Sequence, residues 1–169
     1  MDAYGLIQRK GEGPPFFSAF PDGENSGAGE ARQPIEILLV EDNPADVRMM
    51  REALWLAEIR HSLSVVTDGE EALMFLHRQG KFSEAPRPDI VLLDIKLPKI
   101  SGHAVLGAIR LDPDLCSLPV MMLTSSPAQW DREQSEALQA THFVTKPLGL
   151  RVLAGELKII EGLVKKSGD

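Results

Sequence analysis

The sequence predicts an α/β protein in which a parallel sheet of five strands is covered on both faces by five helices. Short apolar runs, typical of strands buried on both faces, alternate five times with segments whose apolar residues recur at helical spacing. The connections between these segments are short, as they are in parallel sheets. The sequence contains no internal repeat, so each segment is treated as a separate element.

The first strand is predicted at 35–40 (IEILLV), a nearly continuous run of branched apolar residues. It is followed by Glu41, Asp42, Asn43 and Pro44. Pro44 suits the first position of a helix, and either Asp42 or Asn43 can cap that helix. Apolar residues at helical spacing then extend the first helix to about residue 57.

The remaining strands are predicted at 63–67, 89–93, 119–123 and 142–145, because each is a short apolar run. The Asp68-Gly69 pair marks the turn into the second helix, and a polar loop at 79–88 precedes the third strand. Helical periodicity predicts three further helices, at 102–110, about 128–139 and about 148–164.

The chain is expected to form one domain with an N-terminal extension, since 169 residues suffice for one full core. Residues 1–34 are rich in Gly, Pro and small polar residues and lack periodicity, which predicts a flexible extension. The domain is expected at 35–165, with a short tail at 166–169. The aromatic residues of the extension, Phe16, Phe17 and Phe20, are either a docking motif or incidental.

The composition argues against several classes of protein. A formal net charge of -7 argues against nucleic-acid binding, which requires a basic face. No apolar run approaches the ~18 residues of a membrane helix, and no secretory signal is visible. The single cysteine, Cys116, can form neither an internal disulfide nor a cysteine-based zinc site. We therefore expect a cytoplasmic protein that binds neither nucleic acid nor membranes.

Polar side chains stand at the carboxyl ends of four predicted strands. Glu41 and Asp42 follow the first strand, Asp94 the third, Thr124 the fourth and Lys146 the fifth. Each of them alone could cap a helix or lie in solvent. The carboxyl ends of parallel strands meet at one edge of the sheet, where ligands bind. We therefore expect these side chains to form one site.

Three carboxylates at one edge of a sheet favour a bound cation. Two unit charges about 4 Å apart repel by about 1 kcal/mol in water and about 4 kcal/mol near a protein surface. Carboxylate, carbonyl and water oxygens are the ligands that Mg²⁺ prefers. Together with Lys146 and the Thr124 hydroxyl, which can hold an anion, the cluster favours phosphoryl transfer onto Asp94.

Five motifs in the chain resemble those of the receiver domains of bacterial two-component response regulators. They are VEDNPAD at 40–46, DGEEAL at 68–73, DIVLLDIKLPKISG at 89–102, VMMLTSS at 120–126 and FVTKP at 143–147. The resemblance extends from residue 37 to about residue 162. It implies a flavodoxin-like fold with strand order 2-1-3-4-5.

The resemblance implies that Asp94 is the phosphoacceptor. It also implies that Mg²⁺ is bound directly by Asp42, by Asp94 and by the backbone carbonyl of Lys96, and largely through water by Glu41. These four residues therefore form the expected metal site.

Three further residues gain expected roles from the resemblance. Thr124 and Lys146 would hold the phosphoryl group, and Phe143 would be the aromatic residue that changes position on activation. Pro147 would follow a peptide bond that is usually cis in this family.

The expected partners are a sensor histidine kinase or a histidine phosphotransfer protein. The segment RQGKFSEAPRP and the LPK that follows the acceptor resemble single-domain receivers paired with phytochrome-type kinases. No output domain fits after about residue 162, so the expected output is a protein contact. By resemblance, the fourth helix, fifth strand and fifth helix form a homodimer, whose contact is expected to tighten on phosphorylation.

Lys96 departs from the usual receiver pattern, and two interpretations remain open. Its ammonium group either offsets the carboxylate charge and weakens Mg²⁺ binding several-fold, or it extends into solvent. Glu41 replaces the commoner Asp, and Ser101 replaces an Asp but can still cap the third helix.

Two alternative functions follow from the same residues. A degenerate receiver would bind partners without being phosphorylated. A phosphatase resembling the haloacid dehalogenases would also use an aspartyl nucleophile, but its general acid should stand two residues later, where this chain has Lys96. We therefore expect a signalling protein that is not an enzyme.

Overall fold

The computed structural model describes residues 33–125, 128–146 and 149–167. Within them, five strands form one parallel sheet in the order β2-β1-β3-β4-β5, which confirms the predicted fold class and strand order. The strands are β1 (Ile35–Val40), β2 (His61–Val66), β3 (Ile90–Asp94), β4 (Val120–Thr124) and β5 (His142–Thr145).

The described helices are α1 (Pro44–Leu56), α2 (Gly69–Leu76), α3 (Gly102–Leu111), α4 (Gln129–Ala137), α5 (Leu150–Leu157) and α6 (Ile160–Ser167). A short 3₁₀ turn at Gly80–Phe82 lies in the predicted polar loop. None of the described helices is long and apolar enough to cross a membrane.

The last predicted helix is observed as two consecutive segments, α5 and α6. At the break, the Lys158 N–H donates to the Gly155 carbonyl, a three-residue spacing that tightens the turn. Gly155 has low helix propensity, so the helix is easily interrupted here. The predicted extension at 1–34 lies outside the described residues apart from its last two, as does Pro147.

The sheet separates two apolar cores. On the α1 and α5 face, Leu39 and Leu54 are completely buried, and on the opposite face Leu38 and Leu106 are completely buried. Burying a leucine side chain stabilises the fold by about 1.5–3 kcal/mol. Successive β1 residues thus enter opposite cores, which holds the strand ends rigidly at the edge that carries the polar residues.

Two polar residues near the ends of the strands, Asn43 and Ser101, act as helix caps. Asn43 caps α1, because its Oδ1 accepts a hydrogen bond of 3.0 Å from the Ala45 N–H. Ser101 caps α3 as expected, since its Oγ accepts from the Ala104 N–H at 3.2 Å. Asp42, the other candidate cap for α1, is therefore not used for that purpose.

Gly102 allows α3 to begin directly against the end of β3. A Cβ atom at this position would lie 2.1 Å from the Asp94 carbonyl oxygen and 2.8 Å from the Ile95 Cα. Both neighbours are backbone atoms, so they cannot move aside without shifting the loop. The glycine thus fixes the path of the chain immediately after Asp94.

We expect Gly102→Ala to lower the free energy of unfolding by about 1–3 kcal/mol, since the added methyl overpacks rigid backbone. Gly107→Ala, in the same helix, is the matched control, because its Cβ would meet only Leu138 Cδ2 at 3.9 Å. Alanine there should stabilise the helix by about 0.5–1 kcal/mol. Urea denaturation measures both, and equal effects of the two changes would contradict the close approach.

Candidate functional site

The carboxyl ends of β1 and β3 bring three acidic residues together. One carboxylate oxygen from each of Glu41, Asp42 and Asp94 lies within 4.8 Å of the others. Glu41 is 2% exposed and Asp94 6% exposed, whereas Asp42 is exposed. Asp94 is the last residue of β3 and pairs with Leu123 of β4, one position further along than the predicted end of the strand.

Lys146 reaches the acidic cluster from the residue that follows β5. Its Nζ donates hydrogen bonds of 2.8 Å to Glu41 Oε2 and of 2.8 Å to Asp46 Oδ2. The same atom lies 3.7 Å from Asp94 Oδ1. Burial opposes the charged form of Lys146, but the hydrogen bonds to Asp46 and Glu41 outweigh it, so its pKa is raised. Lys146 therefore stays protonated and compensates part of the negative charge.

The Asp94 carboxyl still carries an electrostatic penalty. Burial and the neighbouring charge of Glu41 together raise its pKa to about 6, and Lys146 opposes this rise only in part. A carboxyl in this environment is ionised at neutral pH, but its charge is incompletely compensated. An additional cation at this position would remove the penalty.

The donor chemistry of the cluster fits a hard divalent cation. Glu41, Asp42 and Asp94 offer carboxylate oxygens, which Mg²⁺ and similar ions prefer over nitrogen or sulfur ligands. The Lys96 backbone carbonyl follows two residues after Asp94 and could add a further oxygen. The Lys96 side chain is exposed, and among residues 33–125, 128–146 and 149–167 no ion pair of its ammonium is found. This observation favours the interpretation in which Lys96 extends into solvent.

Thr124 and Phe143 lie on the neighbouring strands. Thr124, completely buried, ends β4 one residue beyond the partner of Asp94, and its carbonyl accepts a hydrogen bond from the Lys146 N–H. Phe143 of β5 is half-buried, and the Arg132 guanidinium carbon of α4 lies 5.8 Å from its ring centre. The structure thus places Thr124 on the strand beside β3 and Phe143 near Arg132 of α4.

Asp46 was not predicted as a site residue, although it lies within the VEDNPAD motif. Its side chain shares the Lys146 ammonium group with Glu41. Asp46 stands in the first turn of α1, three residues beyond the Asn43 cap. An acid in the first turn is normally explained by its interaction with the helix dipole. The sequence therefore does not indicate that Asp46 also pairs with Lys146, which is distant along the chain.

The loop after Asp94 is held against α2. Lys99 Nζ donates to Glu70 Oε2 at 2.8 Å and lies 3.2 Å from Asp68 Oδ2. At Gly69, a Cβ atom would lie 2.2 Å from the Ile100 carbonyl oxygen, so only glycine permits this approach. These contacts anchor the far end of the loop that follows β3.

Comparisons with known proteins identify the family of the chain. The family model described as the response regulator receiver domain matches residues 37–158. Response regulator Rcp1 of Synechocystis sp. is 40% identical over 134 residues, which cover 79% of this chain and 89% of that protein.

Two solved structures show the same fold. The Mn²⁺-bound form of response regulator Rcp1 gives a TM-score of 0.69 at 40% identity, covering 76% of this chain and 93% of the other. The phosphorylated cyanobacterial phytochrome response regulator RcpA gives a TM-score of 0.71 at 38% identity, covering 80% and 96%. With a family model that spans most of its length and relatives of this similarity, the chain belongs to the response regulator receiver domain family.

Proposed function

We propose that this chain is a cytoplasmic signalling protein that accepts a phosphoryl group on Asp94 from a phosphohistidine. The donor would be a sensor histidine kinase or a histidine phosphotransfer protein. The observation that carries the proposal is the cluster of Glu41, Asp42 and Asp94, whose ligand oxygens lie within 4.8 Å of one another and whose charge Lys146 compensates only in part.

The acceptor residue has the properties that a nucleophile needs. With a pKa of about 6, the Asp94 carboxyl is mostly ionised at neutral pH. Because the carboxylate is incompletely compensated, it attracts an electrophilic phosphorus atom together with cations. Its position at the end of β3, with Gly102 packed against its carbonyl, keeps the carboxylate in a fixed place.

Mg²⁺ is the ion we assign to Glu41, Asp42, Asp94 and the Lys96 carbonyl, and when bound it supplies positive charge beside the transferring phosphoryl group. The Mn²⁺-bound form of Rcp1 supports a divalent ion in a relative of this chain. Lys146, whose Nζ lies 3.7 Å from Asp94 Oδ1, would hold a phosphoryl oxygen. The Thr124 hydroxyl would donate a hydrogen bond to another.

The output is proposed to be a change in protein contacts. Movement of Thr124 toward the phosphoryl group would make room for Phe143 to turn inward, which would shift an existing equilibrium at the face formed by α4, β5 and α5. Val152 of α5 is 55% exposed, which suits a contact with a second copy of the chain. We propose that this face forms a homodimer and that phosphorylation tightens it.

The RcpA structure, described as that of a phytochrome response regulator, supports a phytochrome-type kinase as the partner of this chain. The two alternative functions lack a comparable observation. A phosphatase-like enzyme would need an acid at position 96, where the exposed Lys96 stands. A degenerate receiver would have no need of the acceptor cluster.

Incubation of the chain with acetyl phosphate and Mg²⁺ tests the proposal directly. We expect intact-mass measurement to show a single added phosphoryl group that decays slowly and is removed by hydroxylamine, as an acyl phosphate is. A chelator should prevent the reaction. Rapid hydrolysis of acetyl phosphate without accumulation would indicate a phosphatase instead, and no reaction at all would indicate a degenerate receiver.

A further inference from the structure

An open groove of about 610 Å³ lies beside the carboxylate cluster, between the loop that follows β3 and the first turn of α4. Its walls include Asp42, Lys96, Leu97, His103 and Trp130. Asp42 belongs both to the groove and to the cluster that contains Asp94. The groove is therefore an extension of the acceptor site rather than a separate pocket.

Trp130 lines the groove and is 61% exposed. Its ring meets the His103 ring edge-to-face, with the ring centres 5.8 Å apart and the planes at 87°. His103 Nε2 lies 3.2 Å from the Asp131 carbonyl oxygen and 3.1 Å from Ser135 Oγ, both in α4. These contacts tie α3 to α4 and place the Trp130 ring against His103 in the lining of the groove.

Tryptophan is enriched among the residues that contribute most of the binding energy at interfaces. A tryptophan ring binds flat aromatic rings by stacking and cations by their attraction to its face. Lys96, which also lines the groove and is exposed, adds a positive charge. The groove thus combines a surface for a ring with a charge suited to a phosphate.

We propose that this groove binds the imidazole ring of the phosphohistidine donor, with the ring against Trp130 and the phosphoryl group directed toward Asp94. The inference rests on the proposed function, because it identifies where the phosphohistidine donor of that same reaction binds. It makes Trp130 a donor-binding residue and His103 the residue that positions it.

The transfer itself requires no further reactant. One Asp94 carboxylate oxygen forms a bond to phosphorus as the bond between phosphorus and the ring nitrogen breaks. The electron pair of the broken bond remains on that nitrogen, and the imidazole leaves neutral because its other ring nitrogen carries a proton. A ring held by Trp130 gains from alignment with the nucleophile, whereas a donor without a ring does not.

Two small-molecule donors, one with an imidazole ring and one without, isolate the contribution of ring binding from that of the transfer itself, without any partner protein. The full chain, with Mg²⁺, would be phosphorylated either by phosphoimidazole or by acetyl phosphate, and the rate constants compared by intact mass. We expect Trp130→Ala to slow the reaction with phosphoimidazole about three- to tenfold. The rate with acetyl phosphate should change less than about twofold, since its leaving group offers no ring to stack.

Two further variants complete the experiment. Trp130→Phe keeps an aromatic ring and should retain most of the phosphoimidazole rate. Trp55→Ala is the matched control, because Trp55 is a tryptophan of similar exposure, 67%, that lies on α1 outside the groove. It should leave both rates unchanged.

Three results would overturn the groove as a donor site: equal slowing of both donors in Trp130→Ala, no slowing of either, or an altered sedimentation profile with unaltered rates. The last would make Trp130 part of a contact between copies of the chain. Failure of the wild-type chain to react with acetyl phosphate would instead refute the proposed function, so the two failures are distinguishable.

Discussion

Asp94→Asn should abolish phosphorylation and, in the same molecule, stabilise the metal-free protein. Loss of phosphorylation follows because asparagine lacks the nucleophilic carboxylate. The gain in stability follows because the ionised carboxyl is buried near the Glu41 charge, which raises its pKa to about 6. Asparagine is nearly the same size and removes one of the clustered charges without creating a cavity.

The gain should depend on pH with a defined sign. The pKa of Asp94 is higher in the folded protein than the ordinary value of 3.8, so the folded state binds this proton more tightly than the unfolded state does. Ionisation of Asp94 therefore lowers the free energy of unfolding progressively as the pH rises from about 4 to about 6. A shift of one unit corresponds to 1.36 kcal/mol, and after allowance for solvent screening we expect about 1–2 kcal/mol above pH 6.

Urea denaturation of the wild type and of Asp94→Asn in the presence of a chelator, at several pH values between 4 and 7, measures this difference. The variant should be the more stable protein at pH 7 and nearly equal to the wild type at pH 4. Asp112→Asn is the control, and its effect on stability should have the opposite sign. The hydrogen bond from His77 lowers the pKa of Asp112, so the ionised form stabilises the fold and its removal should destabilise it. A gain that is the same at every pH would show that charge relief is not its cause.

The fold and the clustering of the three carboxylates could be predicted from the sequence for one physical reason. A strand such as β1 that is buried on both faces must be continuously apolar, so its end is visible where Glu41 and Asp42 appear. Parallel strands then bring the residues at their carboxyl ends to one edge. The adjacency of Glu41, Asp42 and Asp94 is a consequence of topology and needs no knowledge of side-chain conformations.

Contacts that depend on helix rotation and side-chain direction could not be predicted from the sequence. The preference for Asn43 over Asp42 as the cap of α1 depends on backbone angles at the turn. The pairing of Asp46 with Lys146 joins residues 100 positions apart. The link from His103 to Ser135 likewise requires the relative position of α3 and α4, which apolar periodicity leaves undetermined.

The boundary between α5 and α6 could not be predicted for a different reason. Helical periodicity continues through residues 148–164, and the break at Lys158 comes from local hydrogen bonds that alter the spacing from four residues to three. A pattern of apolar residues is nearly the same for both spacings over one turn. The sequence therefore predicts the buried face of this region better than its division into two helices.

Removal of the ammonium group at Lys146 should have the largest effect on stability. Lys146→Met keeps the length of the side chain but leaves Glu41, Asp46 and Asp94 without their shared cation. Breaking a buried ion pair from one side costs about 3–5 kcal/mol, and because the cluster lies at a partly solvated edge we expect a loss of about 2–3 kcal/mol at pH 7 without metal.

The loss should depend on pH and on divalent cations. Lys146 lowers the pKa of Asp94, so without it the Asp94 carboxyl takes up a proton at a higher pH. The deficit of Lys146→Met should therefore shrink between pH 7 and pH 5, as protonation removes charge from the cluster. Mg²⁺ should stabilise the variant more than it stabilises the wild type, because the ion replaces part of the missing positive charge.

Lys99→Met is the matched control for this prediction. Its ammonium group also contacts two carboxylates, those of Asp68 and Glu70, but its side chain is 56% exposed, compared with 13% for Lys146. Exposed ion pairs contribute little to stability, so this variant should lose far less than Lys146→Met, and its loss should not respond to Mg²⁺. Urea denaturation of both variants at pH 5 and pH 7, with Mg²⁺ or with a chelator, makes the comparison. If the two variants lose equal stability at pH 7, then the cluster at the end of β3 is no more strained than an ordinary surface group, and the electrostatic basis for a cation at Asp94 would be wrong.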